Sequence, residues 1–329
     1  MKAIVYAKYG SPDVLQLNEV ERPVPKYNEV LVHVHAASAN PLDWHFMRGT
    51  PYIMRIQTGL FRPKNNVMGV DVAGRIEAVG KDVKEFQPGD EVFGVCNGAF
   101  AEYVCASPRF LVKKPVNVRF EQAAAVPIAA FTALQGLCKQ GLIQPGQKVL
   151  INGAAGGVGT FAVQIAKSLG AEVTGVCSTR NVAMVRSIGA DHVIDYTKED
   201  FALNRNTYDL IFDTVGNRSL LVCRRMLKPH GTIVIVGSQS KGRWLGPLAR
   251  PFCGLLMSRF VTQRIKMLMA TWSNKDLVTM HELLESGKVT PVIDRYYHLS
   301  ELTEAIRYLE EGHAQGKVII TCEQKIPHG

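Results

Sequence analysis

The sequence predicts an α/β protein in which a doubly wound parallel sheet is inserted into a β-rich, barrel-like domain. Three observations carry this expectation. A glycine-rich turn, Gly153-Ala154-Ala155-Gly156-Gly157-Val158-Gly159, stands between a short apolar run and an amphipathic helical stretch. After it, short strand candidates alternate with helical segments, the βαβ rhythm of a parallel sheet. Before it, the chain reads as short strands punctuated by glycine turns, which suits a twisted antiparallel sheet.

In chain order, Lys2 to Ala7 and Val30 to Ala36 alternate, with Val30, Val32 and Val34 on one face. Gly69 to Gly74, Gly80 and Pro88-Gly89-Asp90 punctuate further strands. The character changes near Glu121. A helical stretch from Gln122 to Cys138, interrupted at Pro127, leads to Lys148-Val149-Leu150-Ile151, a run suited to a buried parallel strand. The helix after the glycine turn spaces Val158, Phe161, Ala162, Ile165, Ala166 and Leu169 on one face, leaving Gln164, Lys167 and Ser168 elsewhere. Strands are expected at Glu172–Cys177, His192–Tyr196, Asp209–Asp213, Thr232–Val236 and Ile265–Thr271. Helices near Lys275–Ser286 and Ser300–Glu311 and a strand at Lys317–Thr321 complete the chain. That last strand has no place in the parallel sheet and is assigned to the first domain. The expected division is therefore 1–122 with 273–329, and 123–272.

Composition agrees with a soluble globular protein. At 329 residues, 47% hydrophobic and 20% charged, the chain can bury two cores. No apolar run reaches the roughly 18 residues of a spanning helix, and the N-terminus starts directly into strand-like alternation, so the cytoplasm is the expected location. Cys96, Cys105, Cys138, Cys177, Cys223, Cys253 and Cys322 are scattered and form no C-x-x-C pair. They read as small buried residues, neither a disulfide framework nor a zinc ribbon.

The glycine turn is the central functional signal. Gly156 lets the backbone approach a pyrophosphate, and Gly159 lets the helix pack against the strand. Ala155, Gly156, Gly157 and Val158 would then surround phosphates at a helix N-terminus, where open N–H groups and the helix dipole favour anions. Enzymes that use NAD place a carboxylate at the end of the second strand. Here Cys177-Ser178-Thr179-Arg180 stands there, with Ser178 and Arg180 suited to a 2′-phosphate. The residues predict NADPH.

With these motifs, the chain resembles the medium-chain dehydrogenase/reductase superfamily over essentially its whole length. Asn40-Pro41-Leu42-Asp43, Gly69 to Gly74, Gly89-Asp90-Glu91-Val92-Phe93-Gly94 and Ala154 to Gly159 resemble its zinc-free quinone oxidoreductase and alkenal reductase branch. The resemblance implies a Rossmann domain inserted into a GroES-like catalytic domain, a homodimer, and hydride transfer from NADPH to a quinone or an α,β-unsaturated carbonyl. It also implies cofactor contacts from Tyr196, Thr132, Asn40, Val215-Gly216 and Val236-Gly237, with Lys317 as an additional phosphate contact. Where zinc-dependent relatives have Gly-His-Glu, this chain has Gly69-Val70-Asp71, so no metal site is expected.

The proton donor departs from the branch's pattern. Related quinone reductases often carry a tyrosine two residues beyond the Asp43 position, where this chain has His45. His45 is the first catalytic candidate, Tyr52 the second and Asn40 the third, while Asp43 is read as fixing the loop. Cys96 and Cys105 have no neighbouring His or Lys to activate them.

Formal net charge is +9, from 38 Lys and Arg against 29 Asp and Glu. No acidic residue occurs between Asp213 and Asp276. Within that stretch, 240–262 interleaves Arg243, Arg250 and Arg259 with Trp244, Phe252 and Phe260. It reads as a flap over the substrate cleft or a subunit contact, with a peripheral membrane contact as the rival. No nucleic-acid module accompanies the charge. Two rivals to quinone or enone reduction stay open: an enoyl-thioester reductase, and a non-catalytic NADPH-binding redox sensor or membrane-associated scaffold.

Overall fold

The computed structural model describes residues 1–203, 206–237 and 262–322. The chain divides into two compact units: Met1–Ile128 with Trp272–Gly287 and Pro291–Gly329, and Ala129–Thr271 with Lys288–Thr290.

The first unit is β-rich. Its strands are β1 (Lys2–Val5), β2 (Gln16–Glu19), β3 (Val30–Ala39), β4 (Asp71–Val79), β5 (Glu91–Val95), β6 (Tyr103–Ala106) and β7 (Leu111–Lys113). β1 and β2 form an antiparallel pair of their own. The main sheet has β3 pairing antiparallel with β4, β4 with β5 and β5 with β7, while β6 also pairs with β3. Val30, Val32 and Val34 are fully buried in one core cluster with Val72, Val92 and Phe100, the face that their alternation predicts. The helix Leu302–Glu310 closes this core with Leu302, Ala305 and Ile306, at the spacing of one helical stripe.

The second unit carries β8 (Lys148–Asn152), β9 (Glu172–Cys177), β10 (His192–Asp195), β11 (Tyr208–Asp213), β12 (Leu227–Ile235) and β13 (Arg264–Met267). They form one parallel sheet in the order β10-β9-β8-β11-β12-β13. The order reverses between β9 and β11 around β8, so a switch point opens at the carboxyl end of β8. Val149, Leu150 and Ile151 of β8 are fully buried, as a central strand covered on both faces requires.

The remaining strands, β14 (Ile293–His298) and β15 (Lys317–Thr321), return to the first unit. β15 pairs antiparallel with β3 and parallel with β14, so the last strand joins the antiparallel sheet.

The expected interruption at Pro127 and two local differences have physical causes. Pro127, with no N–H to donate, starts a second helix (Pro127–Leu134) instead of continuing Phe120–Ala124. That helix widens into a π-helical segment, Gln135–Gln140, in which Gly141 N bonds Gly136 O five residues back. Gln164, expected on the polar face of its helix, is buried, donating to Thr290 O (3.0 Å) and accepting from Thr290 N (2.8 Å). A tertiary partner satisfies its amide, which is why Lys288–Thr290 packs with this unit and not with its chain neighbours.

Candidate functional site

The first candidate lies at the carboxyl edge of the parallel sheet. β8 ends at Asn152 and the chain turns through Gly153, at φ +87°. A Cβ there would meet Thr214 Oγ1 at 2.3 Å, and one on Gly159 would meet Gly153 O at 2.0 Å. Both must be glycine for the turn to close. Gly156 differs: a Cβ on it meets nothing nearer than Gly153 O at 3.6 Å, so the protein itself leaves room for a side chain. The helix Gly157–Ser168 starts with Gly156 at its cap and no side-chain cap bond. A twelve-residue helix thus offers its first-turn N–H groups and positive dipole end into space that no side chain of the cap fills. Ala155, Gly156, Gly157 and Val158 lie at this helix start, where free N–H groups and the dipole favour an anion.

Of the other expected cofactor residues, Ser178, Arg180, Tyr196, Val215, Gly216, Val236 and Gly237 follow the carboxyl ends of β9 to β12. Ser178 stands at the start of the turn Thr179–Asn181, accepting from Asn181 Nδ2 at 3.2 Å. Arg180 is exposed on that turn. Tyr196 follows β10, half exposed, with its N–H on Cys177 O. Val215 and Gly216 follow β11, and Val236 and Gly237 follow β12. Thr132 lies in the helix Pro127–Leu134 and is buried.

Two groups on this edge escaped the sequence reading. Asp195 ends β10 directly beside Cys177. It accepts from the Thr179 hydroxyl (2.6 Å) and from Thr197 N and Oγ1, and these bonds, led by Thr179, hold its carboxyl down at about 2. A carboxylate therefore does sit by the end of the second strand, contributed by the third. The expectation for Thr179 is corrected accordingly: its hydroxyl proton is committed to Asp195, so it shapes the turn. The second group is Asp213, fully buried, which accepts from Asn152 Nδ2 and from the N–H groups of Val215 and Gly216. Val236 N and Gly237 N go to the Asp213 carbonyl. The backbone donors of these four residues are thus spent within the protein. An acidic residue closing a β-strand just before a Val-Gly turn was the available signal.

The second candidate is a buried polar cluster in the β-rich unit. Lys317, at the start of β15, and Asp71, at the start of β4, are 3% and 0% exposed at their side chains. Lys317 Nζ donates to Asn40 Oδ1 (2.5 Å) and to Asp71 Oδ2 (3.3 Å). Asn40 Nδ2 donates to Ser38 O and Asp71 Oδ2, and Ser38 Oγ donates to the same oxygen at 2.7 Å. The expectation of Lys317 as a phosphate contact is overturned: a charge buried this deeply must be paired, and its partners are Asn40 and Asp71. Asn40 is corrected too. An ammonium only donates, which fixes the amide oxygen toward Lys317, and both amide hydrogens are already used. Asn40 has no hydrogen left for a reacting oxygen, so it is a structural hub of the cluster.

His45 lies in the last turn of the helix Pro41–Arg48, its Nδ1 2.8 Å from Thr50 O. Since a carbonyl only accepts, Nδ1 carries the hydrogen and Nε2 is left as an acceptor. Burial lowers its pKa, so the imidazole is poorly suited to be an acid at neutral pH. Tyr52 opens the short turn Tyr52–Met54, under the guanidinium of Arg55 at 4.7 Å. The same guanidinium covers Tyr9 at 4.4 Å, and Arg55 Nε holds Gly49 O. Burial pushes the Cys96 and Cys105 thiols up, Cys105 to about 11, so neither is a nucleophile. Among the described residues no three His, Cys, Asp or Glu side chains converge as metal ligands, and no helix is long and apolar enough to cross a membrane. Nearly all of the basic stretch 240–262 lies outside the described residues.

A β-rich unit with an inserted doubly wound sheet, carrying a glycine-turn cradle at its switch point, defines a dinucleotide-binding dehydrogenase or reductase. Comparison with known proteins agrees. The alcohol dehydrogenase GroES-like domain family matches residues 26–116, and the zinc-binding dehydrogenase family matches residues 188–320. A 2-methylene-furan-3-one reductase of Solanum lycopersicum is 35% identical over 97% of this chain and 79% of its own. A chloroplastic NADPH-dependent alkenal/one oxidoreductase of Arabidopsis thaliana is 34% identical over the same shares. The solved quinone oxidoreductase of Coxiella burnetii superposes with a TM-score of 0.86 at 32% identity, over 98% of this chain and 99% of that one. The chain belongs to the medium-chain dehydrogenase/reductase superfamily, in its quinone and alkenal reductase branch.

Proposed function

We propose that the protein is an NADPH-dependent reductase of quinones or α,β-unsaturated carbonyls, working without zinc as a cytoplasmic homodimer. The observation that carries the reading is the uncapped N-terminus of the helix Gly157–Ser168 at the switch point of the sheet, with Ser178 and Arg180 on the neighbouring strand end. Relatives named as NADPH-dependent alkenal/one and quinone oxidoreductases support the substrate class.

Bound at this edge, the nicotinamide cofactor supplies a hydride. The chain's own residues bind and orient. The helix N-terminus takes the pyrophosphate, Arg180 pairs with the 2′-phosphate and Ser178 donates to it. Val215-Gly216 and Val236-Gly237, pinned by Asp213, form the floor. Where zinc relatives polarise the reacting oxygen with metal, Val70 offers no ligand atom, so a hydrogen-bond donor must stabilise developing negative charge.

The test is a fluorescence titration with NADPH and NADH, followed by NADPH oxidation against a panel of quinones and enones. NADPH is expected to bind more tightly. Arg180→Ala should weaken NADPH binding by about 10- to 100-fold, the worth of one charge-assisted hydrogen bond, while NADH binding stays put. Equal affinities in the unmodified protein would overturn the NADPH assignment, and binding without turnover would favour a redox sensor.

A further inference from the structure

Exposed apolar side chains gather at one place in the β-rich unit. Ile53, Ile56, Leu60 and Phe61 are 49%, 71%, 60% and 88% exposed, and no other stretch of this length among the described residues holds as many. Single exposed apolar residues are ordinary, whereas a cluster of them marks a contact.

The backbone presents two of the four at a tip. The short helix Arg55–Thr58 ends at Gly59, at φ +120°. A Cβ on Gly59 would stand 2.0 Å from Arg62 O, so the chain doubles back tightly around Leu60 and Phe61. Lys64 N closes the loop on Thr58 O at 2.8 Å. The base of the loop is anchored. The Tyr9 hydroxyl donates to Gly59 O at 2.6 Å, and Arg55 lies over the Tyr9 ring while its Nε holds Gly49 O. A tip held in this way loses little freedom when it binds.

The charge around the tip has one sign. No Asp or Glu occurs between Asp43 and Asp71. Of the cations in that stretch, Arg48 is paired with Glu310 and Arg55 is stacked on Tyr9 and Tyr52. Arg62 and Lys64, which follow the tip, are exposed and enter no ion pair among the described residues. Long apolar stems let such side chains lie along a greasy surface with their charged heads in a polar layer.

We propose that this loop docks on an anionic lipid surface, with Leu60 and Phe61 entering the acyl boundary and Arg62 and Lys64 on the headgroup phosphates. A stable protein interface buries roughly 800 Å² and 20–30 residues a side, more than one loop and the turns leading into it supply. A fluid bilayer closes around a tip of any shape. Leu and Phe beside Lys and Arg is the combination that the membrane interface retains, the apolar pair by burial and the cations by attraction to anionic lipid. The docking does not depend on the reductase reading, and its test needs no turnover.

That test is co-sedimentation with vesicles of phosphatidylglycerol and phosphatidylcholine in equal parts, compared with vesicles of phosphatidylcholine alone. The unmodified protein should bind the mixed vesicles, bind the neutral ones about 10-fold more weakly, and come off as salt rises. Leu60→Ser with Phe61→Ser should weaken binding to the mixed vesicles by about 10-fold or more, the worth of two apolar side chains left in water. Its melting temperature should stay put, because both side chains are exposed in the folded protein. Arg62→Ser with Lys64→Ser should weaken binding by a similar factor. Lys81→Ser with Lys84→Ser removes the same charge from an exposed loop after β4 and should leave binding nearly unchanged. No binding by the unmodified protein would overturn the proposal, as would binding that survives the Leu60 and Phe61 substitutions. A loss in the Lys81 and Lys84 variant equal to that in the Arg62 and Lys64 variant would reduce the effect to general charge attraction and overturn it too. So would a dimer in sedimentation equilibrium that the Leu60 and Phe61 substitutions abolish, since the tip would then belong to a second copy of the chain.

Discussion

The two polar regions of this molecule are built in opposite ways. At the glycine turn the polar groups are backbone N–H at the start of a helix, and the residues around them are defined by lacking side chains: Gly153 and Gly159 because nothing else fits, Gly156 because space is kept open. In the β-rich unit the polar groups are side chains, Ser38, Asn40, Asp71 and Lys317, and nearly every donor and acceptor is matched. The first region is open by design of the backbone. The second is closed except at Asp43 Oδ1. Open backbone donors make a site for any phosphate, whereas a saturated network with one vacancy fixes a single group in position.

Substitutions should expose the contrast. The largest effect on folding belongs to the closed region. Lys317→Met leaves Asp71 as an uncompensated buried charge, and unfolding free energy should fall by about 3–5 kcal/mol in a denaturant titration. A loss near zero would mean that the network is not the keystone of the antiparallel sheet. Gly159→Ala strikes the open region. Its Cβ would stand 2.0 Å from Gly153 O, so the turn must shift, costing about 1–3 kcal/mol and most of the NADPH affinity. Calorimetric titration that finds full affinity would separate the turn's shape from its binding role. The smallest effect is a control on the parallel sheet's scaffold. Ser219 caps the helix Leu220–Arg225 by accepting from Val222 N, and Ser219→Ala should cost about 1 kcal/mol with no change in nucleotide affinity.

The glycine region was legible because its information is local. A strand, a turn and a helix lie within about twenty consecutive residues, and the spacing of Gly153, Gly156 and Gly159 states the geometry directly. The parallel rhythm was legible for the same reason: β9 and β15 fall where the pattern put them, and β10 and β11 differ by one residue. β12 was placed five residues too short at its start, because Lys228, Pro229 and His230 do not look like a strand. Leu227 pairs with Tyr208 and Thr232 with Leu210, and the residues between them bulge out of the register, with His230 in left-handed backbone at φ +65°. Asp195, Asp213 and Gln164 were missed because each is defined by a partner distant in sequence.

The sequence by itself determined the fold class, the strand–glycine turn–helix unit and the family. Those follow from periodicity and from glycine at positions where a side chain cannot go. Only the tertiary structure decided the fate of the charged groups. It drew Lys317 into β15 beside β3, seated it on Asn40 and Asp71 across more than two hundred residues of chain, and so removed it from the phosphate site. It also left Asp43 with one oxygen unmatched. Burial and pairing set the chemistry of an ionisable group, and both depend on strands that meet in space but lie far apart in the chain.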